Sequence, residues 1–520
     1  MPRSGSPLDK PFQLFDLLRR GLDANADSVA IASLDKQGTW RELSHASDRL
    51  AANLLGLGLH AGDRVASLMP NCDALLVHYI ACAKAGLVAT PLNYRYQAPE
   101  IDHALEVSEA SILLAHAERD AEIAKTKLAA KLPLGVIGYG ASDGRSRTYE
   151  ALIEQNPPTI ELRAPDPAAP AIIFFTSGST GPAKGVTHSF ETFGWLVASI
   201  IESFELTQGD IVLPGSSLSH IAGLSLSLAA VAAGSRVIIT RTFDGDELLS
   251  VLREDRPTVL MMLPAALFSL ARDHGATKED FTSLRLCVSG GDKVSAELER
   301  EFTELAGFPI DEGYGMSEIG WATLNPPSGL NKLGSIGTLN PGYAASIRNE
   351  SGEELADGED GRLWIKAPSD MVRYWNQPEA TEVTFQDGWL DTGDQMRIDD
   401  DGYLWFRGRK KQIIVHDGSN IAPQEVEEAL LEHPAVEIAG VVGVHDLVHG
   451  ENVRAYITLR GDAARPTSQT LIRFARERVG YKAPEEIVVL KEMPLNPAGK
   501  VDRVTLKRMA VDLHADTALG

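Results

Sequence analysis

The feature that most restricts this chain is a buried strand that empties into a loop of hydroxyls and glycines. Residues 171–175, Ala-Ile-Ile-Phe-Phe, make a short apolar run of β-branched and aromatic side chains, the pattern of a strand covered on both faces. Thr176-Ser177-Gly178-Ser179-Thr180-Gly181-Pro182-Ala183-Lys184-Gly185 follows at once. Glycines let backbone N–H groups converge on an anion, hydroxyls add neutral donors, and Lys184 adds a point charge. Such a loop is suited to holding polyphosphate. It is not a Walker loop, because Ala183 precedes the lysine and Gly185 stands where Ser or Thr should follow. Taken alone, the string also fits a flexible surface turn.

Helix and strand patterns alternate around that strand. Thr39 and Glu42 are spaced as a capping box, and a helical pattern follows through Leu43, Leu50, Leu54 and Leu55. Strands are expected at 64–68, 87–89 and 111–114, with helices at 73–84 and near 99–110 between them. Beyond the loop, a helix at 193–202 precedes strands at 235–239, 259–262 and 285–288. This rhythm predicts an α/β fold with a parallel, doubly covered sheet. From about residue 340 the texture changes to short strands and Gly/Asp turns, the mark of a smaller β-rich subdomain. A boundary is expected at Lys410-Lys411, giving a large N-terminal domain of layered α/β subdomains (1–410) and a small mobile α+β C-terminal domain (411–520). The latter should contain helices at 423–431 and 469–479 and strands at 438–444 and 453–459, closing on Gly499-Lys500 and a short basic stretch.

Composition narrows the partners. A net charge of −23 argues against a general nucleic-acid surface, so anionic ligands need local basic clusters. Cys72, Cys82 and Cys287 lack metal-ligand spacing and read as buried small hydrophobes in a reducing cytosol. Residues 1–10 carry no apolar signal core. The longest apolar candidate, 221–233, is diluted by serines and glycine and reads as a core helix. A cytoplasmic protein without a transmembrane segment is expected.

Several further strings share one resemblance. Leu218-Ser219-His220-Ile221-Ala222-Gly223, Ser289-Gly290-Gly291-Asp292, Glu312-Gly313-Tyr314-Gly315-Met316-Ser317-Glu318, Asp391-Thr392-Gly393-Asp394, Phe406-Arg407-Gly408-Arg409-Lys410-Lys411 and Pro494-Leu495-Asn496-Pro497-Ala498-Gly499-Lys500 occur in that order. With the hydroxyl-rich loop they resemble the motifs of the adenylate-forming (AMP-forming) acyl-CoA synthetase family. That family includes acyl- and aryl-CoA ligases, free-standing adenylation domains and beetle luciferases. The match runs through essentially the whole chain. Ser317 stands where threonine is commoner and keeps the hydroxyl, while Arg373, Gln412 and Asp417 depart from the usual residues.

The resemblance implies a role for each string. Thr176, Ser177, Gly178, Ser179, Thr180, Gly181 and Lys184 would hold the ATP phosphates, and Gly290, Gly291 and Asp292 would lie beside adenine. In the segment Glu312, Gly313, Tyr314, Gly315, Met316 and Ser317, a tyrosine face can stack on a purine, glycines permit close approach, and a hydroxyl can contact the α-phosphate. Glu318, with Thr176, would hold magnesium, which prefers hard oxygen ligands beside phosphates. His220, Ala222, Gly223, Gly313 and Met316 would border the acyl pocket, where the glycines, Gly291 among them, are expected to leave room for a medium-chain or aromatic acid. Asp394 would accept from the ribose hydroxyls, Arg409 would lie near ribose and phosphate, Lys411 would be the hinge, and Gly418 would line the coenzyme A passage.

Lys500, Glu318 and His220 would be the catalytic residues. A movable ammonium at Lys500 offsets the repulsion between a carboxylate and the α-phosphate. The implied reaction turns a carboxylic acid and Mg-ATP into acyl-AMP and pyrophosphate, then passes the acyl group to coenzyme A. An alternative acceptor is a carrier-protein phosphopantetheine. A luciferase-like oxygenase and an inactive nucleotide-binding scaffold are the other readings. The family also admits a homodimer and regulatory acylation of Lys500.

Overall fold

The computed structural model describes residues 2–33, 36–140, 147–176, 183–243, 245–291, 294, 296–409, 412, 414–416, 419–446, 450–461, 465–496 and 499–517. The chain forms two compact units. One comprises Met1–Ser346, Trp364–Asp391 and Asp399–Leu404, and the other Ile347–Leu363, Thr392–Ile398 and Trp405–Gly520.

Two sheets lie wholly within the first unit. The nine-stranded sheet runs in the order Thr338–Leu339, Gly320–Leu324, Asp311–Met316, Leu286–Gly290, Val259–Met262, Ile211–Gly215, Arg236–Ile238, Val29–Ser33, Lys36–Thr39. The seven-stranded sheet runs Arg373–Tyr374, Lys184–Ser189, Pro170–Thr176, Val88–Pro91, Arg64–Leu68, Ile112–His116, Val136–Tyr139. The inner strands of both are parallel, as the βα rhythm predicts. Antiparallel strands were not expected, yet they occur at the edges, where hairpins replace helical crossovers. One of them, Lys184–Ser189, turns back along Pro170–Thr176 and pairs Thr176 with Lys184.

Local chemistry accounts for the helices between the strands. Thr39 Oγ1 accepts from the Glu42 amide at 3.2 Å, and Glu42 Oε2 accepts from the Thr39 amide at 2.8 Å. This capping box starts the helix Trp40–Gly56, which buries Leu43, Leu50 and Leu54. Asp73–Ala85 and Ile221–Ala233 are buried on nearly every side, as expected of helices without a polar face. Among the described residues no helix is long and apolar enough to cross a membrane.

The second unit holds a five-stranded sheet, Ser419–Ile421, Ile414–His416, Gly450–Leu459 and Val436–Asp446 in order, with Glu486–Val489 also beside Gly450–Leu459. Its core packs Val426 and Leu430 from the helix Pro423–Leu431, and Leu471 and Ala475 from Ser468–Val479, against Val441, Val453 and Ile457. The expected short basic stretch, with Arg503, Lys507 and Arg508, falls within a helix. Arg503–Thr517 is a helix that buries Leu506 and Ala510 against Val442, Val444, Tyr456 and Met493. Two apolar residues one turn apart are enough to dock a helix whose other positions are mostly polar. The α/β class and the smaller C-terminal unit agree with expectation.

Candidate active site

Four parallel strands of the nine-stranded sheet end in register. Gly215 lies opposite Met262, Met262 opposite Ser289, Ser289 opposite Glu312, and Gly290 opposite Gly313. The expected adenine and purine segments therefore share the carboxyl edge of one sheet, where open α/β folds bind ligands. Ser289 Oγ donates to the Met262 carbonyl at 2.9 Å, and Glu312 accepts from the Val294 amide at 3.3 Å. Tyr314 pairs with Thr323, and the register shifts between it and Gly315, which pairs with Trp321.

Packing demands glycine at Gly290 and Gly313 of this edge and at Gly223 of the helix Ile221–Ala233. A Cβ on Gly313 would lie 2.8 Å from the Thr323 carbonyl oxygen and 2.9 Å from the Trp321 ring. On Gly290 it would lie 2.7 Å from the Gly313 oxygen, and on Gly223 2.6 Å from the Ser217 oxygen. Neighbouring backbone already fills these spaces, so these three glycines carry no information about the size of the acid.

His220 is the residue before the helix Ile221–Ala233, and its side chain does not cap that helix. Its Nε2 lies 3.4 Å from Asn93 Nδ2. Nearby, Asn71 donates to the Ser216 carbonyl at 3.0 Å and accepts from the Leu218 amide at 2.8 Å. Asn71 and Asn93 follow strands of the seven-stranded sheet, so two amides tie that sheet to the loop before His220.

The turn that carries Glu318 is held through every carbonyl. His188 Nε2 donates to the Ser317 carbonyl at 2.8 Å, the Met371 amide to that of Glu318 at 2.7 Å, and Tyr343 Oη to that of Ile319 at 2.6 Å. Ser369 Oγ in turn donates to Tyr343 Oη at 2.9 Å. The Glu318 side chain is buried, and its Oε1 accepts from Tyr374 Oη at 2.8 Å. Burial, with the Glu318 charge beside it, pushes the Tyr374 hydroxyl pKa up, so it stays a donor. His188 lies between Phe174 and Phe193. Burial presses its pKa down to about 4, which leaves it neutral near pH 7 with the proton on the nitrogen that faces a carbonyl.

Lys184 begins the strand that also carries His188. Its Nζ lies 4.5 Å from the centre of the Tyr374 ring. The strand is secured by the Val372 amide on the Thr187 carbonyl and the Trp375 amide on that of Gly185, and His103 Nε2 donates to Ala183 at 2.8 Å. Lys184 and Glu318 thus both contact one tyrosine, the ammonium over its ring and the carboxylate at its hydroxyl.

In the second unit, Asp394 lies on the inward face of Trp389–Ile398 with Leu390, Met396 and Ile398, and none of its surface is exposed. Its amide donates to Thr392 Oγ1 at 3.2 Å. Lys500 is exposed on a turn closed by the Asn496 amide on the Lys500 carbonyl at 2.7 Å and by the Lys500 amide on Asn496 Oδ1 at 3.0 Å. Gly499 takes the left-handed conformation there, φ 81°. Ser177, Gly178, Ser179, Thr180, Gly181, Asp292, Lys411, Gly418 and the side chain of Arg409 lie outside the described residues.

Sequence reasoning missed Asn71, Asn93, His188, Tyr343 and Tyr374. His188 stands three residues past the hydroxyl-rich loop and Tyr374 beside Arg373, but their partners become visible only in the fold.

Comparison with known proteins agrees with this arrangement. Residues 18–375 match the family model for AMP-binding enzymes, and residues 425–500 match that for the AMP-binding enzyme C-terminal domain. A feruloyl-CoA synthase from Amycolatopsis sp is 33% identical over 90% of this chain and 93% of the relative. The fatty acid–acyl-carrier-protein ligase ScoC of Streptomyces coeruleorubidus is 31% identical over 90% and 91%. Among solved structures, ATP-bound MatB from Rhodopseudomonas palustris superposes with a TM-score of 0.88 at 29% identity, covering 97% of this chain and 99% of that one. With the strand-end edge, the Glu318 turn and the Lys184 hairpin in one unit, and the Lys500 turn in the other, the chain belongs to the AMP-binding enzyme family.

Proposed function

We propose that the protein is an AMP-forming acyl-CoA synthetase that activates an aryl or fatty carboxylic acid with ATP and transfers the acyl group to coenzyme A. The observation that carries this reading is the turn at Ser317–Glu318–Ile319, where each carbonyl is captured and Glu318 accepts from the hydroxyl of the tyrosine whose ring carries Lys184. Such a turn presents one carboxylate and one cation in a set geometry, as nucleotide phosphates require.

Magnesium fits the donors present. Glu318 offers a buried carboxylate and Thr176 a hydroxyl at the mouth of the loop. No group of three or more His, Cys, Asp or Glu able to hold a metal occurs among the described residues. One carboxylate completed by substrate phosphates is the usual arrangement for this ion. When bound, it neutralises charge on the phosphates.

In the first half-reaction an oxygen of the acid bonds to the α-phosphorus and the bond to pyrophosphate breaks. Tyr314 stacks on the base, Lys184 holds the phosphates, and the Lys500 ammonium offsets the charge that gathers between carboxylate and phosphate. In the second, the coenzyme A sulfur bonds to the acyl carbon, AMP leaves, and the thiol proton passes to solvent. We place the domain boundary and hinge at Lys410–Lys411, with Asp394 and Arg409 serving the ribose and Gly418 the thiol passage. The C-terminal part then turns between the half-reactions, a gating use of motion.

ScoC, named for a carrier-protein acceptor, gives specific support to a second reading, in which the acyl group passes to a phosphopantetheine on a carrier protein. Thioester formation from one acid, assayed in parallel with coenzyme A and with a phosphopantetheinylated carrier protein, separates the two. Product with coenzyme A supports the first reading. Product with the carrier protein alone replaces it with the second.

A further inference from the structure

Two charges in the site are set against one side chain. Tyr374 is 6% exposed, its hydroxyl donates to Glu318 Oε1 at 2.8 Å, and its ring lies 4.5 Å from Lys184 Nζ. The backbone allows it little freedom. Tyr374 pairs with Val186, two residues past Lys184, and its amide donates to Thr381 Oγ1 at 3.0 Å. Thr381 Oγ1 in turn donates to the Gln377 carbonyl at 2.9 Å. The backbone that bears the ring is therefore tied to the strand that carries Lys184.

A carboxylate whose Oε1 accepts a hydroxyl proton is fixed in rotation, and with it the direction in which Oε2 presents its lone pairs. An ammonium over a ring face is held by the negative face of the π-system, weakly enough to leave for a phosphate. We propose that Tyr374 is a positioning residue for the nucleotide reaction: its hydroxyl aims Glu318 at the metal, and its ring holds Lys184 until phosphate draws the ammonium away. This rests on reading Glu318 as the magnesium carboxylate and Lys184 as the phosphate cation.

The test uses the full chain as wild type, Tyr374→Phe, Tyr374→Leu and Glu318→Gln. Manganese is titrated into protein and ATP without any acid, and free Mn²⁺ is read by electron paramagnetic resonance. The magnesium dependence of acid-dependent ATP–pyrophosphate exchange is measured alongside. Phe keeps the ring and removes only the hydrogen bond to a charged group, so Mn²⁺ affinity should fall about tenfold. The exchange rate at saturating magnesium should stay within about twofold, since the ring still holds Lys184. Leu removes both contacts and should also raise the KM for ATP several-fold.

Wild-type metal affinity in Tyr374→Phe, with affinity lost in Glu318→Gln, overturns the proposal and leaves the Glu318 reading standing. Wild-type affinity in both overturns the two together. A loss of rate in Tyr374→Phe that is the same at every magnesium concentration marks a merely structural residue and also overturns it. If Tyr374→Leu does not fold, Tyr374→Phe with a wild-type thermal melt decides alone.

Discussion

The turns that carry Glu318 and Lys500 each present one charged side chain, and they are built in opposite ways. Around Glu318, donors from His188, Met371, Tyr343 and Tyr374 reach in from distant parts of the chain, and the side chain is buried. Around Lys500 the turn closes on itself through Asn496, and the residue is exposed. A group that receives a ligand gains from being held before the ligand arrives, because no reorganisation is then needed at the moment of reaction. A group that must enter and leave a site cannot be held that way. The first kind ties chemistry to stability, and the second separates them.

Substitutions separate the two kinds of turn. Lys500→Ala carries the largest expected effect on rate. Acid-dependent ATP–pyrophosphate exchange should fall by about 10²–10³-fold, the scale of losing one electrostatic contact to a transition state, with no change in the thermal melt. A lowered melting temperature would show that the Lys500 turn is structural after all.

His188→Ala should behave in the opposite manner. It removes a buried ring between two phenylalanines together with the donor to Ser317, at a cost of about 2–4 kcal/mol measured by urea unfolding. Exchange should drop as well, because the Glu318 turn loses one of its supports. A variant with wild-type stability would contradict the clamped turn.

Asp311 tests the far end of the strand that leads toward Glu318. Burial, with the nearby Glu299 charge, raises its pKa to about 7, against the partial relief of a hydrogen bond from Asn331. The folded state therefore holds a proton that the unfolded chain releases near pH 4, so this contribution to stability is full at low pH and is lost as pH rises toward about 7. Asp311→Asn should raise the melting temperature more at pH 8 than at pH 5, with exchange unaffected. Equal gains at both values would show that the carboxyl is ionised in the fold. The contribution of His188 runs the other way, since its pKa is depressed to about 4 in the fold and its share is lost as pH falls from about 6.5.

The smallest effect is expected at the capping box, remote from both turns. Thr39→Ala should cost about 1 kcal/mol in urea unfolding and leave exchange at the wild-type rate. A changed rate would mean that catalysis follows overall stability rather than the local holding of Glu318.

Much of this frame is legible in the sequence because its causes are local. The apolar run at 171–175, the capping box at Thr39 and Glu42, and the helix at 221–233 each follow from side chains near one another in the chain. The strand Lys184–Ser189 is harder to read. It is buried at five successive positions, so it lacks the alternation that marks a half-exposed strand. The clamp on Glu318 is not legible at all, since Tyr374 and His188 lie 56 and 129 residues from Glu318 and Ser317, the residues they hold. The glycines Gly223, Gly290 and Gly313 are ambiguous in the sequence for a related reason. A glycine demanded by a neighbouring carbonyl and one left open for a ligand look alike until the neighbours are in place.

The most direct test of the central claim is ATP–pyrophosphate exchange with wild-type protein, magnesium and a panel of aryl and fatty acids, without coenzyme A, beside Lys500→Ala and Glu318→Gln. Exchange should require an acid, occur without any thiol acceptor, and be lost in both variants, with the fold intact in Lys500→Ala. Exchange that persists in either variant, or no exchange with any acid while ATP still binds, would contradict it.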